Sequence, residues 1–339
     1  VSAFSRRRLL AGVATLPLVG VAIPSAADAQ PAPETDPATL ARRALAGATG
    51  TKLVMLGTGG GPVAGRRRGM TSHVLISGGS AYVVDCGLGV ATQIARIGVP
   101  LSHVSNVFIT HHHADHNIEY GPLLLLAWID GRQTPISAYG PPPLAQMTTD
   151  YRRMQRFTTE NWSADVGIPA FPETIVREIV ANGPVMRDAL VTVTAAIVQH
   201  PPTAPAFGYR FDFHDRSIAF SGDTVAVPAM VELARGADVL VHEAMYLPAT
   251  EKYVRAMGDK QPDGSTPMSP EAVEHLIDHM KRDHTPADQV GRIAQQAGVK
   301  TLVLSHLVPS GGVSDDVWRA EAAKAFTGTI IVASDLLVL

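Results

Sequence analysis

The chain has 339 residues, of which 46% are hydrophobic and 17% charged, and a formal net charge of −3. This composition describes a globular protein able to build a large core, as one big domain or two small ones, and its slight acidity gives no electrostatic reason to expect a nucleic-acid partner. The single cysteine, Cys86, excludes an internal disulfide and a zinc site built from cysteines.

The first 29 residues read as a targeting segment. Arg6, Arg7 and Arg8 precede Leu9 to Ile23, an apolar stretch too short for a comfortable membrane span. Ala27-Asp28-Ala29 fits a small-x-small cleavage site and puts the mature start at Gln30. The run Ser5 to Leu10 resembles a twin-arginine export signal, which implies a folded, exported protein in the periplasm or outside the cell, with no membrane insertion after cleavage. Cleavage removes three basic residues and one acidic residue, so the mature chain is more acidic. Residues 30–50 begin Pro-rich and read as a flexible linker, with a short helix over Leu40 to Leu45. Residues 51–339 form the remaining domain.

Thr51 to Leu56 reads as a strand opening onto Gly57-Thr58-Gly59-Gly60-Gly61-Pro62. A dinucleotide fingerprint is rejected there, because the last required glycine is Pro62. Of Arg66, Arg67 and Arg68, at least two belong to a solvated loop, and Arg68 is the candidate to hold an anionic substrate group. Ser72 to Ile76 and Ala81 to Asp85 form a hairpin, followed by a helix over Leu88 to Ile97. Cys86 is expected to pack as a small buried residue.

Val104 to Thr110 is apolar and β-branched, a buried strand, and Asn117 to Asp130 reads as a helix. Between them lies His111-His112-His113-Ala114-Asp115-His116. Imidazole and carboxylate together suit Zn²⁺ and similar divalent ions, with Mn²⁺ and Fe²⁺ as alternatives. Residues two apart on an extended loop point the same way, so His111 and His113 can grip one ion. Asp115 and His116 start the helix, where a carboxylate also caps well, and can turn toward a second ion. His112 points away from its neighbours.

Pro135 to Ala181 has a mixed pattern. Its Met147, Tyr151, Met154, Phe157, Trp162 and Phe171 are expected mostly in the core. Further strands follow over Leu190 to Val198, Phe207 to Phe211, Ser217 to Phe220, Asp238 to Val241 and Thr301 to Leu304. His200 follows the first, Ser221-Gly222-Asp223-Thr224 terminates the second and third, and His242-Glu243 and His306 follow the last two. Helices are read over Val231 to Arg235, Glu271 to Met280, Pro286 to Ala297 and Asp315 to Phe326, with a last strand over Ile330 to Ala333. His275 and His279 stand four apart on a helix and are taken as surface residues.

The motif H-x-H-x-D-H after a strand resembles the signature of the metallo-β-lactamase superfamily, and the resemblance runs from about Thr51 to the C-terminus. H-P-P-x-x-x-A-F-G-Y-R at His200, S-G-D-T at Asp223 and L-V-L-S-H at His306 are similar to the ribonuclease Z, zinc phosphodiesterase and zinc arylsulfatase branch. The resemblance implies a four-layer αββα sandwich of two mixed sheets (α/β, α+β). It implies two ions per chain, one on His111, His113 and His200 and the other on Asp115, His116 and His306, with Asp223 bridging. Asp85 is expected behind a metal-binding histidine. Asp115 is further expected to hold the attacking water, with His284, oriented by Glu243, as the acid for the leaving group.

Two ions lower the pKa of a shared water enough to supply hydroxide near neutral pH, so a dinuclear hydrolase is expected. Ribonuclease Z carries a long tRNA-holding arm between its third ligand motif and G-D-T. Here His200 and Asp223 leave no room for one. tRNA processing and nucleic-acid partners are therefore disfavoured in favour of a small-molecule ester, an aryl sulfate or phosphodiester. Tyr246 and Tyr253 keep a lactonase or carboxylic esterase open, a non-catalytic binding protein would have lost ligands, and a homodimer is left open.

Overall fold

The computed structural model describes residues 35–63, 67–259 and 266–339, so the expected export signal lies outside the described residues. Strands that are apolar at nearly every position must be covered on both faces. The first sheet is built from β1 (Lys52–Gly57), β2 (Ser72–Ser77), β3 (Ser80–Cys86), β4 (Val104–Phe108), β5 (Ser137–Gly140) and β6 (Ile175–Glu178). The second is built from β7 (Gly183–Arg187), β8 (Val191–His200), β9 (Thr203–Phe213), β10 (Ser217–Phe220), β11 (Val239–Met245), β12 (Thr301–Val308) and β13 (Thr329–Val332). The chain ends by returning β14 (Leu337–Val338) to the edge of the first sheet, beside β1. Among the described residues each sheet has seven strands and mixes parallel and antiparallel pairs, in the orders β14-β1-β2-β3-β4-β5-β6 and β13-β12-β11-β10-β9-β8-β7.

Side-chain alternation divides each strand between two cores. Leu53 and Met55 of β1, and Tyr82 and Val84 of β3, face the space between the sheets. There Phe108 meets Phe211 edge-on at 4.9 Å and Tyr209 at 5.6 Å, which locks one sheet against the other. Val54, Leu56, Ala81 and Val83 face the opposite way, against helices.

Those helices are α1 (Pro37–Leu45), α2 (Val90–Arg96), the single turn α3 (Ala114–Asn117), α4 (Tyr120–Ile129) and α5 (Leu144–Val166). On the second sheet the outer layer comes from α6 (Pro228–Ala234), α9 (Ala287–Ala297) and α10 (Asp315–Ala323), packed through Met230, Val290 and Trp318. The helices α7 (Leu247–Ala256) and α8 (Pro270–Asp283) instead form a hairpin with its own small core of Val254, Val273 and Ile277. The result is the expected αββα sandwich.

Two local expectations are corrected. The short helix expected over Leu40 to Leu45 starts earlier, as α1, capped by Asp36 and anchored by buried Ala38 and Ala41. Met154, Phe157 and Trp162 of α5 are not core but 66%, 79% and 45% exposed. α5 fully buries only Leu144, Thr148 and Thr159, so Met154, Phe157 and Trp162 on its other faces have no layer to pack into. The edge strands β6, β7 and β14 were not legible, being short and only partly buried. No described helix is long and apolar enough to cross a membrane.

Candidate metal centre

The histidine loop leaves β4 between the two sheets and is pinned from both. Thr110 N–H donates to Asp85 Oδ1 at 2.8 Å, Phe207 N–H to the Thr110 carbonyl at 3.0 Å, and Tyr209 O–H to the Ile109 carbonyl at 2.8 Å. β8 delivers His200, the turn after β10 delivers Asp223, and β12 delivers His306. His306 sits where the β11–β12 register skips a residue, between the pairs Glu243–Ser305 and Ala244–Leu307. It adopts φ +43°, a bulge that aims its ring out of the ladder.

Seven side chains from four strand ends therefore converge. His111, His113, His200 and Asp223 offer atoms within 4.8 Å of one another, and so do Asp115, His116 and His306. Asp223 lies between the two groups, with Oδ1 3.3 Å from His116 Nε2 and Oδ2 3.1 Å from His306 Nε2. The other nitrogen of most rings is already engaged. Asp85 Oδ2 holds His116 Nδ1 at 2.7 Å, the Asp283 carbonyl holds His200 Nδ1 at 2.8 Å, and Thr203 Oγ1 holds His113 Nε2 at 2.8 Å. Such partners fix which nitrogen is free to bind.

The donors fit a metal pair. His111 Nε2, His116 Nε2 and Asp223 Oδ1 are buried, point inward and have no hydrogen-bond partner. Groups of this kind are rarely left unsatisfied without an ion or a ligand to complete them. The Gly-rich turn after β1 closes the site. Gly61 N–H donates to Asp115 Oδ2 at 2.9 Å, and a Cβ on Gly60 would lie 2.7 Å from the His306 ring. Asp115 thus serves the cluster and does not cap its own helix, which has no side-chain cap.

Without ions the charges divide. Burial pushes His111 well below the usual imidazole range, with His116 adding to the effect, and burial with His200 brings His113 down to about 4. Burial acts on His306 in the same direction, but Asp223 and Asp115 outweigh it and raise the ring to about 10. His116 is likewise raised, by Asp223, Asp85 and Asp115.

His284 approaches from the C-terminus of α8. Its Nδ1 meets Glu243 Oε2 at 2.9 Å, and Glu243 also accepts from Thr224 N–H at 2.8 Å. Burial lowers His284, and the Glu243 carboxylate more than reverses this, so its pKa is raised. Its free side is close enough to group with Asp223 and His306 as a third set of donors.

The remaining candidates fall elsewhere. Arg68 is not at the cluster. Its guanidinium donates to Thr58 Oγ1 and the Ala333 carbonyl and lies 3.6 Å from Asp315, bracing the Gly-rich turn against the C-terminal strand region. Arg66 lies outside the described residues. His112 is held between the Pro141 carbonyl and Asn117, away from the donors. His242 is fully buried and belongs to none of the donor groups. Tyr246 packs against Trp318. His279, expected at the surface, instead lines the cavity that opens onto the cluster. Sequence reading missed Thr203 and set His279 at the surface. The signal for His279 was its i, i+4 spacing to Asp283.

Residues 81–307 match the family described as beta-lactamase superfamily domain. Ribonuclease Z of Mycobacterium bovis (strain BCG / Pasteur 1173P2) is 31% identical over 297 residues, covering 84% of this chain and 96% of the relative. Human tRNase Z, short form, has a similar structure with a TM-score of 0.60 at 21% identity, covering 85% of this chain and 98% of its own. Zn²⁺-bound PqqB from Methylobacterium extorquens superposes with a TM-score of 0.55 at 15% identity, covering 85% and 99%.

The mycobacterial ribonuclease Z relative overturns the expected small-ester substrate, the disfavouring of tRNA processing and the expectation of no nucleic-acid partner. The missing arm is real, because β8 turns into β9 at Pro201 and Pro202. An arm of that kind is separate from the donors that carry the chemistry, however, and net charge averages over a whole surface without describing the field at one cleft. By the family match and the mycobacterial relatives, the chain belongs to the metallo-β-lactamase superfamily and is a metallo-hydrolase of its ribonuclease Z and phosphodiesterase branch.

Proposed function

We propose that this chain cleaves RNA phosphodiester bonds in the manner of ribonuclease Z, with tRNA precursors as the substrate class and two zinc ions per chain. His111, His113 and His200 would hold one ion, Asp115, His116 and His306 the other, and Asp223 both. When bound, the ions supply Lewis acidity and lower the pKa of water toward neutrality.

The chain's own groups supply the rest. Asp115, fixed by Gly61 N–H, turns its carboxylate to the donors and would hold the attacking water by accepting its hydrogen bond. The Glu243 carboxylate raises the pKa of His284 above the usual imidazole value, which favours its protonated form. His284 presents that proton to the oxygen that leaves, an alkoxide that departs poorly unless protonated. The observation that carries the reading is the Glu243–His284 pair set against seven convergent donors, which pairs an acid with a site for binding and splitting a phosphodiester. The ribonuclease Z relatives support RNA as its substrate.

The test uses zinc-loaded protein with a tRNA precursor bearing a 3′ trailer, an unstructured RNA and an aryl sulfate. Cleavage of the precursor at the trailer, abolished by chelator, is expected. Turnover of the sulfate with both RNAs left intact would reject the reading. Mn²⁺ and Fe²⁺ suit the same donors, and elemental analysis of protein purified without chelator decides among them, with close to two zinc ions per chain expected.

A further inference from the structure

The cavity that opens onto the donor cluster holds about 270 Å³ and has a second wall, contributed by Met257, Leu276 and Met280 around the α7–α8 hairpin. His279 stands in that wall. Its ring centroid is 6.1 Å from that of His284 and 6.3 Å from that of His200, one ring beyond the donors, and it belongs to none of the donor groups. Its Nδ1 meets the carboxylate of Asp283, one helical turn on, which is fully buried and also faces the Arg282 guanidinium at 3.2 Å. A carboxylate accepts and does not donate, so the proton of the neutral ring sits on Nδ1 and the lone pair on Nε2. A ring held this way is a fixed hydrogen-bond acceptor. A phosphate oxygen, itself an acceptor, has nothing to offer it, whereas a hydroxyl does.

We propose that His279 and the apolar wall beside it form a ribonucleotide subsite, in which Nε2 accepts from the 2′-hydroxyl of the sugar next to the scissile phosphate and Met257, Leu276 and Met280 pack against its base. The 2′-hydroxyl is the group by which a protein tells RNA from DNA, and the face of a base is sequence-tolerant apolar surface. The subsite rests on the RNA reading above and adds to it a source of sugar discrimination.

Two precursor RNAs, identical except for one 2′-deoxy sugar on the 5′ side of the cleaved bond, are compared by kcat/KM in wild type, His279→Leu and His279→Gln, with zinc content and circular dichroism checked for each. Wild type should favour the all-ribose substrate by about twofold to tenfold, the weight of one neutral hydrogen bond. The ratio should fall to near one in His279→Leu and be partly kept in His279→Gln, whose amide oxygen still accepts. Equal rates on both RNAs in wild type, or an unchanged ratio in His279→Leu, would overturn the subsite. A wild type that cuts neither RNA but turns over another ester removes the RNA reading itself, and the subsite with it.

Discussion

Asp85 and His306 are two of the three described non-glycine residues with positive φ, and both face the donor cluster. Strained backbone of this kind persists only where the surroundings hold it, and it gathers at functional sites. Asp85 is held by the Thr110 N–H and hydroxyl and in turn orients His116. Asp85→Ala should therefore lower zinc affinity by about 10–100-fold, the usual cost of losing a partner behind a ligand, measured by competition with a chromogenic chelator. Unchanged affinity would show that Asp85 serves folding alone. His284 poses the opposite case. It lies near enough to Asp223 and His306 to be counted among donors, yet seven other donors are present and Glu243 holds its Nδ1. His284→Ala should keep both ions while losing about 10²–10⁴ in rate on RNA, and should lose little on a bis-nitrophenyl phosphate whose leaving group needs no proton. Loss of an ion in that variant, or equal losses on both substrates, would reassign the residue.

At the scale of elements, close approaches are bought with glycine. Where α9 crosses α10, a Cβ on Gly291 would lie 2.1 Å from the Ala322 carbonyl oxygen. Gly291→Ala must push the helices apart and should cost about 1–3 kcal/mol in a denaturant titration, the range for overpacking. A change within error would mean that α10 shifts freely. The strands that position the site were readable because their apolar runs end in His or Asp. β10 matches its expected bounds, Ser217–Phe220, whereas β9 starts earlier, at Thr203, since its first residues pair with His200 and the end of β8 only after the hairpin closes. The short helix α7 was missed altogether. Its Pro248 and mixed polarity give little periodicity, and its buried face forms only against α8 and the end of β12.

For the whole molecule, inward-pointing unsatisfied donors imply that bound ions stabilise the folded chain, since an unfolded chain does not assemble the site. Chelation should lower the thermal midpoint and added zinc should restore it, as read by calorimetry; an unchanged midpoint with the ions gone would separate binding from folding. Export is a proposal from residues 1–29 alone, and N-terminal sequencing of periplasmic material should begin at Gln30, with a cytoplasmic protein retaining Arg6 and Arg7 counting against it. The cluster's residue types and their places after apolar runs were legible in the sequence, because imidazole and carboxylate spacing and strand patterning are local properties. The sandwich followed from the family resemblance. Tertiary structure alone decided that Arg68 braces a turn, that α5 leaves Phe157 and Trp162 in solvent, and that His279 enters the cavity. Each depends on what lies opposite the side chain, and partners such as Ala333 or Asp315 for Arg68, more than 240 positions away, leave no local trace.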